Sequence, residues 1–404
     1  MVFVRRYLEV LIKYPELCGD DYLMRTSRTD DMGRVLFNAS NIQVGGGVQV
    51  AVSVLGEWIE RCGSLPLNIE IWASSVVDSN LRRAGYDANS LPNYRVADNP
   101  GWRGLISKDY WGLGKFRRVF TLFGPLYSVV RPIESIVGFA QAQIIYPDSE
   151  YIRRIGWRRR LLRSLKSRAQ RGLFRRSDSL VVELDHVATA ISEQGWFPDE
   201  KIHIVRNCLN NVFLDIRRWQ VLPRSIDFVG IRIGYLGRNY PHKNTQILPA
   251  ICQALADRHG LRVKFYVTFS DDEWSALSGD FKSWVENVGE LSVAQCPAFY
   301  QAMDAIIFPS LLECFSATPL EALAMAKPLF ASDRPFVRDV CDDFAFYFDP
   351  LDALDAADRI AAFFTGGDLD AGRGAAGREH ALSYSSAYCR AEKVLSLLLG
   401  SEFN

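Results

Sequence analysis

Two glutamates eight positions apart are the residues of this chain whose type and placement most invite chemistry. Glu313 closes the run Phe308-Pro309-Ser310-Leu311-Leu312-Glu313, and Glu321 lies in Thr318-Pro319-Leu320-Glu321-Ala322-Leu323-Ala324. The first run reads as the end of a strand, and a helix start follows it at once. In an open parallel sheet, ligands collect beyond the carboxyl ends of the strands. A helix start adds free N–H groups and the positive end of a dipole, which suit a diphosphate. Carboxylates on either side of such a point can grip the hydroxyls of a sugar or a ribose. A plainer reading of Glu321 stands beside this one: Thr318 as N-cap, Pro319 at the first helical position and Glu321 three after the cap make a capping box. Glu313, taken alone, equally fits a solvated loop acid. The second element is Gly237-Arg238-Asn239-Tyr240-Pro241-His242-Lys243-Asn244, directly after a strand at Ile231 to Leu236. Basic residues such as Arg238 and Lys243 at the end of a first strand, just before a helix, can reach a leaving diphosphate and neutralise the charge that grows on it. Two basic loop residues are also ordinary surface. His242, between them, is a candidate donor contact.

These residues need a scaffold, and alternating short β-rich and longer helical runs supply one. A strand is expected at Arg34 to Ala39, then a glycine turn at Gly45-Gly46-Gly47 and a helix over Val48 to Ile59. Further strands are expected at Asn68 to Trp72, Arg118 to Phe123, Ile136 to Ile145, Ser179 to Glu183 and Lys201 to Val205. The weakly patterned stretch Asp215 to Asp227 precedes a restart at Gly230 to Leu236. A helix over Thr245 to Arg258 follows, with strands at Val263 to Thr268 and Ala305 to Phe308, a helix from Pro319 to Ala326 and a strand at Pro328 to Ala331. The pattern predicts an α/β chain of two doubly wound, Rossmann-like domains facing a cleft, with the boundary near residue 220. Residues 1–31 have a mixed pattern of uncertain status, so the first domain is expected to span 32–220 and to begin near Met32; the second spans 221–383.

With 404 residues and 48% hydrophobic composition, the chain can bury more than one core. A formal charge of zero gives the whole molecule no nucleic-acid signature. The eight cysteines (Cys18, Cys62, Cys208, Cys252, Cys296, Cys314, Cys341, Cys389) include no CxxC pair, which suits a reducing compartment and offers no zinc cluster. No apolar run reaches a bilayer span, and the start lacks the pattern of a signal peptide, so a cytoplasmic protein is expected.

The order strand-GR-xxxx-KN, then FPSxxE-xxxxxxx-E followed by A-x-A-x-x-P, resembles the donor-binding domain of family 4 GT-B glycosyltransferases over roughly Ile231 to Pro350. The loop GGGVQ, Gly45 to Gln49, is similar to the glycine loop of that family's acceptor domain. The resemblance implies a retaining transferase that takes a sugar from a nucleoside-diphosphate donor, with no cofactor and no metal. It implies that Glu313 contacts the transferred sugar, Glu321 holds the ribose, and Arg238 and Lys243 bind the diphosphate. It extends the donor set to Gly237, His242 and the segment Cys314, Phe315, Ser316, Ala317, Thr318, and gives Gly45, Gly46, Gly47 and Gln49 to the acceptor side. Residues 384–404 resemble the family's terminal helix, which crosses back to the first domain. Two departures stand out. The usual Gly-Phe-Gly after the first glutamate is Cys314-Phe315-Ser316, and the glycine before the later proline is Lys327, which predicts a less permissive phosphate turn. No histidine precedes His186, so no catalytic histidine is assigned; His186 itself reads as a surface or packing residue. The one DxD, Asp368-Leu369-Asp370, reads as loop.

Between Arg153 and Arg176 there are eleven Lys or Arg residues and no Asp or Glu, with Trp157, Leu161, Leu162, Leu165 and Leu173 interleaved at mostly helical spacing. Such a surface suits the anionic cytoplasmic face of a membrane and a peripheral location there. Nucleic acid is the rival partner, but no stacking platform accompanies the stretch. The expected acceptor is a glycan or lipid-linked oligosaccharide of a surface polysaccharide or lipopolysaccharide. A catalytically silent GT-B subunit that binds nucleotide-sugar or glycan is the competing class, and a GT-B epimerase or phosphorylase is another enzymatic option.

Overall fold

The computed structural model describes residues 33–61, 65–366 and 371–400. The expectations for residues 1–31, Met32, Cys18, Cys62 and Asp368 to Asp370 fall outside these. Two wholly parallel sheets organise the chain, as the alternation predicts. The first has seven strands in the order β3-β2-β1-β4-β5-β6-β7. They are β1 Val35–Ala39, β2 Ile69–Ala73, β3 Tyr94–Val96, β4 Arg118–Thr121, β5 Glu134–Gly138, β6 Ser179–Val182 and β7 Ile202–Ile204. The second has six in the order β10-β9-β8-β11-β12-β13, namely β8 Ile231–Tyr235, β9 Val263–Val267, β10 Val285–Asn287, β11 Ala305–Phe308, β12 Leu329–Ser332 and β13 Phe346–Phe348.

Every residue of β1, β2, β11 and β12 is buried, which explains why their sequences read as near-continuous apolar runs and not as alternation. Each sheet places its first strand beside its fourth, so chain connections leave in opposite directions there. The crevice at that switch point is where ligands enter such folds. In the second sheet it lies between β8 and β11, whose residues Ala305 and Ile306 pair with Ile233 and Gly234.

The structure differs from the sequence reading in three places. The strand expected over Ile136 to Ile145 stops at Gly138, where a Cβ would sit 1.7 Å from the Leu122 carbonyl oxygen. The apolar Ile144 and Ile145 are instead buried on the short helix Ala142–Ile145, a distinction periodicity cannot make over so few residues. The strands β3, β10 and β13, each three residues long, are not among those expected from the sequence. The helix Ala387–Leu399, capped by Ser386 and ended by left-handed Gly400, lies against the helix Gly46–Glu60 of the first domain. It sends Ala391, Val394 and Leu398 into that domain's core. Trp58 Nε1 donates to the Ala391 carbonyl at 3.3 Å and Arg118 Nη1 to that of Leu398 at 3.3 Å.

Candidate active site

The two loops that flank the β8/β11 crevice are bonded to each other, and that bonding sets the site. After β8, Gly237 takes φ 149°, a value that disfavours any side chain, and its N–H donates to Thr268 Oγ1 at 3.1 Å. The Tyr235 hydroxyl donates to the Arg238 carbonyl at 3.1 Å. A single 3-10 turn, Pro241–Lys243, then ends at Asn244 in the left-handed region, and Asn244 Nδ2 reaches the Pro350 carbonyl at 2.7 Å. Across the crevice, the Leu311 N–H donates to the His242 carbonyl at 2.8 Å.

This geometry brings Lys243, His242 and Glu313 together. Lys243 Nζ donates to Glu313 Oε1 at 2.6 Å, and Ser310 Oγ donates to the same oxygen at 2.7 Å. His242 Nε2 lies 3.9 Å from it. Both members of the Lys243–Glu313 pair are largely withdrawn from water, at 15% and 11% exposure, so each charge depends on the other in the free protein. Burial lowers the His242 pKa below its ordinary value, with Glu313 opposing and Lys243 and Arg163 adding to the lowering, so the ring is neutral at pH 7.

Arg238 does not join them. Its Nε donates to Glu273 Oε1 at 2.9 Å and its Nη1 lies 3.5 Å from Glu290 Oε1. Glu273 also accepts the Asn239 N–H at 3.1 Å and closes a capping box with Ser270 on the helix Asp271–Ser275. The Ser-x-x-Glu spacing of Ser270 and Glu273 marks a helix start in the sequence, but nothing local marks Glu273 as the partner of Arg238.

The capping box read at Thr318 and Glu321 does not form. The helix Ala317–Ala324 starts two residues earlier than that reading places it, with Ser316 as N-cap and no side-chain cap. Thr318 Oγ1 instead donates to the Leu236 carbonyl at 3.1 Å, across the crevice to the end of β8. Glu321 is therefore free for another role, and its Oε2 accepts the Tyr300 hydroxyl at 2.7 Å. Burial pushes its pKa up to about 7, against the opposing pull of that hydroxyl.

The departures from the usual glycines also acquire an explanation. Ser316 has an extended backbone, and among the described residues no left-handed position occurs between Glu313 and Thr318, so this turn does not require glycine. Cys314 is buried there, while Phe315, Ser316 and Ala317 keep partial exposure. At the later turn the positive φ falls on Ala326, at 52°, and not on Lys327. Lys327 Nζ donates to the Met303 carbonyl at 2.7 Å before the start of β11, at the sheet edge opposite the crevice, so it does not narrow the phosphate turn.

On the first domain, Gly45 caps the helix Gly46–Glu60 at φ 74° with no side-chain hydrogen bond. Gly45 and Gly46 are exposed, Gly47 would meet Phe123 at 3.3 Å if it carried a Cβ, and Gln49 is half-buried. His186 proves to be a cross-domain contact: its N–H donates to Asp339 Oδ2 at 2.8 Å and its Nδ1 lies 2.9 Å from the same oxygen. Its partner, on the helix Pro335–Cys341, had no signal in the sequence. Among the described residues, no group of three or more His, Cys, Asp or Glu side chains is arranged to hold a metal.

Comparison with known proteins bears on the family and the fold. Residues 230–365 match the family described as Glycosyl transferases group 1. The O-antigen chain mannosyltransferase RfbU of Salmonella typhimurium (strain LT2) is 24% identical over 213 residues, covering 51% of this chain and 54% of that protein. The chain thus matches about half the length of that curated relative. Among solved structures, Anabaena HepE in complex with UDP-glucose superposes with a TM-score of 0.65 at 14% identity, covering 91% of this chain and 100% of that one. WaaG, a glycosyltransferase involved in lipopolysaccharide biosynthesis, superposes with a TM-score of 0.63 at 13% identity, covering 91% and 99%. The shared fold is GT-B.

Proposed function

We propose, from the premise that residues 230–365 belong to the group 1 glycosyl transferases, that this chain moves a sugar from a nucleoside-diphosphate donor to a glycan acceptor of a surface polysaccharide or lipopolysaccharide, with retention. The observation that carries the reading is the Lys243–Glu313 pair at the switch-point crevice, beside a helix start with no side-chain cap. The RfbU match and the HepE complex with UDP-glucose support the same class.

In this reading, the donor diphosphate draws Lys243 away from Glu313 and lies against the first turn of the helix Ala317–Ala324. Glu313, still held by Ser310, turns its carboxylate to the sugar hydroxyls. Glu321 accepts hydrogen bonds from the ribose. The bond from the anomeric carbon to the phosphate oxygen breaks, and its electron pair leaves with the diphosphate. The acceptor oxygen bonds the same face of that carbon and its proton passes to the departing phosphate. Lys243 stabilises the charge that develops on the leaving group, and Arg238 adds to this by exchanging Glu273 for phosphate. The protein needs no base of its own, and the residues above require no metal.

The acceptor reading rests on the helix Trp157–Phe174. Its inner stripe is Arg163, Ser167, Gln170 and Phe174. Trp157, Leu161 and Leu165 recur every fourth residue on the opposite side and are 71%, 54% and 52% exposed, while Leu173 is half-buried. A helix that turns its apolar side outward among cations suits an anionic lipid surface, where each cation adds about 1 kcal/mol. Among the described residues no helix is long and apolar enough to cross a membrane. This fits a peripheral protein on the cytoplasmic face, next to a lipid-linked acceptor.

The test is nucleoside-diphosphate release from UDP-, GDP- and ADP-sugars with membrane extract as acceptor, followed by NMR of the anomeric configuration of the product. Release with one donor and a product of unchanged configuration is expected. An inverted product would overturn the mechanism, and binding of donor without turnover would make the chain a silent subunit.

A further inference from the structure

The donor loop is held from the first domain by one aromatic side chain, and that side chain is held in turn by the basic helix. Tyr151, on the helix Glu150–Arg153, is buried at 8% exposure. Its ring meets the His242 ring edge-on, with centroids 5.9 Å apart. It also packs in one apolar cluster with Leu311 and Leu312. The helix Glu150–Arg153 thus reaches both loops of the crevice, the one ending in Lys243 through the Tyr151 ring on His242 and the one ending in Glu313 through the cluster that Tyr151 and Ile152 form with Leu311 and Leu312. From its other side, Arg163 Nη1 donates to the Tyr151 hydroxyl at 3.0 Å, and the guanidinium lies 5.3 Å from the ring centroid. Arg163 belongs to the inner stripe of the helix Trp157–Phe174, whose outer side carries the exposed Trp157, Leu161 and Leu165. Next to Tyr151, Glu150 reaches Arg334 of the second domain at 3.5 Å, so the same short helix bridges the domains twice.

We propose that Tyr151 is a positioning residue that makes the donor site answer to membrane docking: anionic lipid under the helix Trp157–Phe174 fixes Arg163 on Tyr151, and Tyr151 fixes the loops that carry Lys243 and Glu313. The physical cause is charge. In solution Arg163 sits among like charges, with Arg159, Arg160 and Lys166 within one turn on the same helix and Arg160 offset in part by Asp148 Oδ1 at 3.4 Å. That repulsion favours withdrawal of the guanidinium from Tyr151. Lipid phosphates neutralise the flanking cations, and Arg163 then keeps its bond to the buried hydroxyl. The two states differ in one discrete contact, which both sites bias. The inference rests on the docking reading given above.

The experiment measures UDP and GDP affinity by calorimetry, with and without vesicles of phosphatidylglycerol and phosphatidylcholine, next to co-sedimentation with the same vesicles. Pure phosphatidylcholine vesicles are the control. Wild type is expected to bind its nucleotide on the order of fivefold more tightly on anionic vesicles, at the lower end of ordinary coupling. Tyr151→Phe keeps the ring and removes the hydroxyl; Arg163→Lys keeps the charge and loses the planar contact. Both variants are expected to sediment as wild type does and to lose the enhancement, with unchanged thermal unfolding. Enhancement that survives in both variants, or co-sedimentation of wild type without enhancement, overturns the coupling. Failure of wild type to sediment overturns the docking reading and the coupling with it, and failure to bind either nucleotide while sedimenting overturns the donor reading.

Discussion

The two crevices of this molecule are built on the same strand arrangement and filled with opposite chemistry. At the end of β1, Asn38 and Ser40 are fully buried and bonded within a neutral set: Asn38 Nδ2 donates to the Tyr110 hydroxyl at 3.1 Å, and Ser40 Oγ to Asn38 Oδ1 at 2.7 Å. At the end of β8 and β11 the groups are ionic, with Lys243 on Glu313 and Arg238 on Glu273. Topology thus supplies a place where ligands gather, and the residues at the strand ends decide what is done there. A neutral, self-satisfied network can shape a binding surface but cannot neutralise a leaving diphosphate.

That contrast is open to attack. Glu313→Ala is expected to have the largest effect, lowering turnover by about 10²- to 10³-fold, because it removes the charged contact to the transferred sugar; steady-state release of nucleoside diphosphate measures it. Lys243→Ala follows, with about a hundredfold loss in kcat/KM, and it additionally leaves the Glu313 carboxylate without its ammonium partner. Glu321→Gln is expected to act through pH. The carboxyl titrates at about 7 in the free protein, and only the ionised form accepts two ribose hydrogens. Donor affinity in wild type should therefore fall as pH drops from 8 through 7 to 6, approaching about tenfold per unit below the pKa, and the variant should show a flat profile. The smallest effect on donor binding is expected from Asn38→Ala. It removes the buried amide that bonds both the Ser40 and the Tyr110 hydroxyl, leaving them 3.3 Å from each other, and should cost about 1–3 kcal/mol in denaturant unfolding while nucleoside-diphosphate affinity stays the same.

The sequence carried ten of the thirteen described strands, their parallel arrangement and the two loops of the second crevice, because each is local: an apolar run, a glycine, a basic pair, a carboxylate at a strand end. It left Glu321 between a helix cap and a ligand group. The structure rules out the cap, and Glu321 instead accepts the Tyr300 hydroxyl from another helix, a proximity which no spacing rule encodes. The Tyr151–His242 and His186–Asp339 contacts escaped for the same reason, since they join residues of different domains. Lys327 misled through its position in a motif, because the left-handed residue of that turn is its neighbour Ala326.

The second crevice is proposed to hold the donor diphosphate through Lys243. Calorimetric titration of UDP and GDP into wild type, Lys243→Ala and Gln49→Ala tests it most directly. One nucleotide should bind wild type and Gln49→Ala alike and bind Lys243→Ala at least tenfold more weakly. Undiminished binding to Lys243→Ala, with loss in Gln49→Ala, would place the diphosphate in the first crevice and contradict the account.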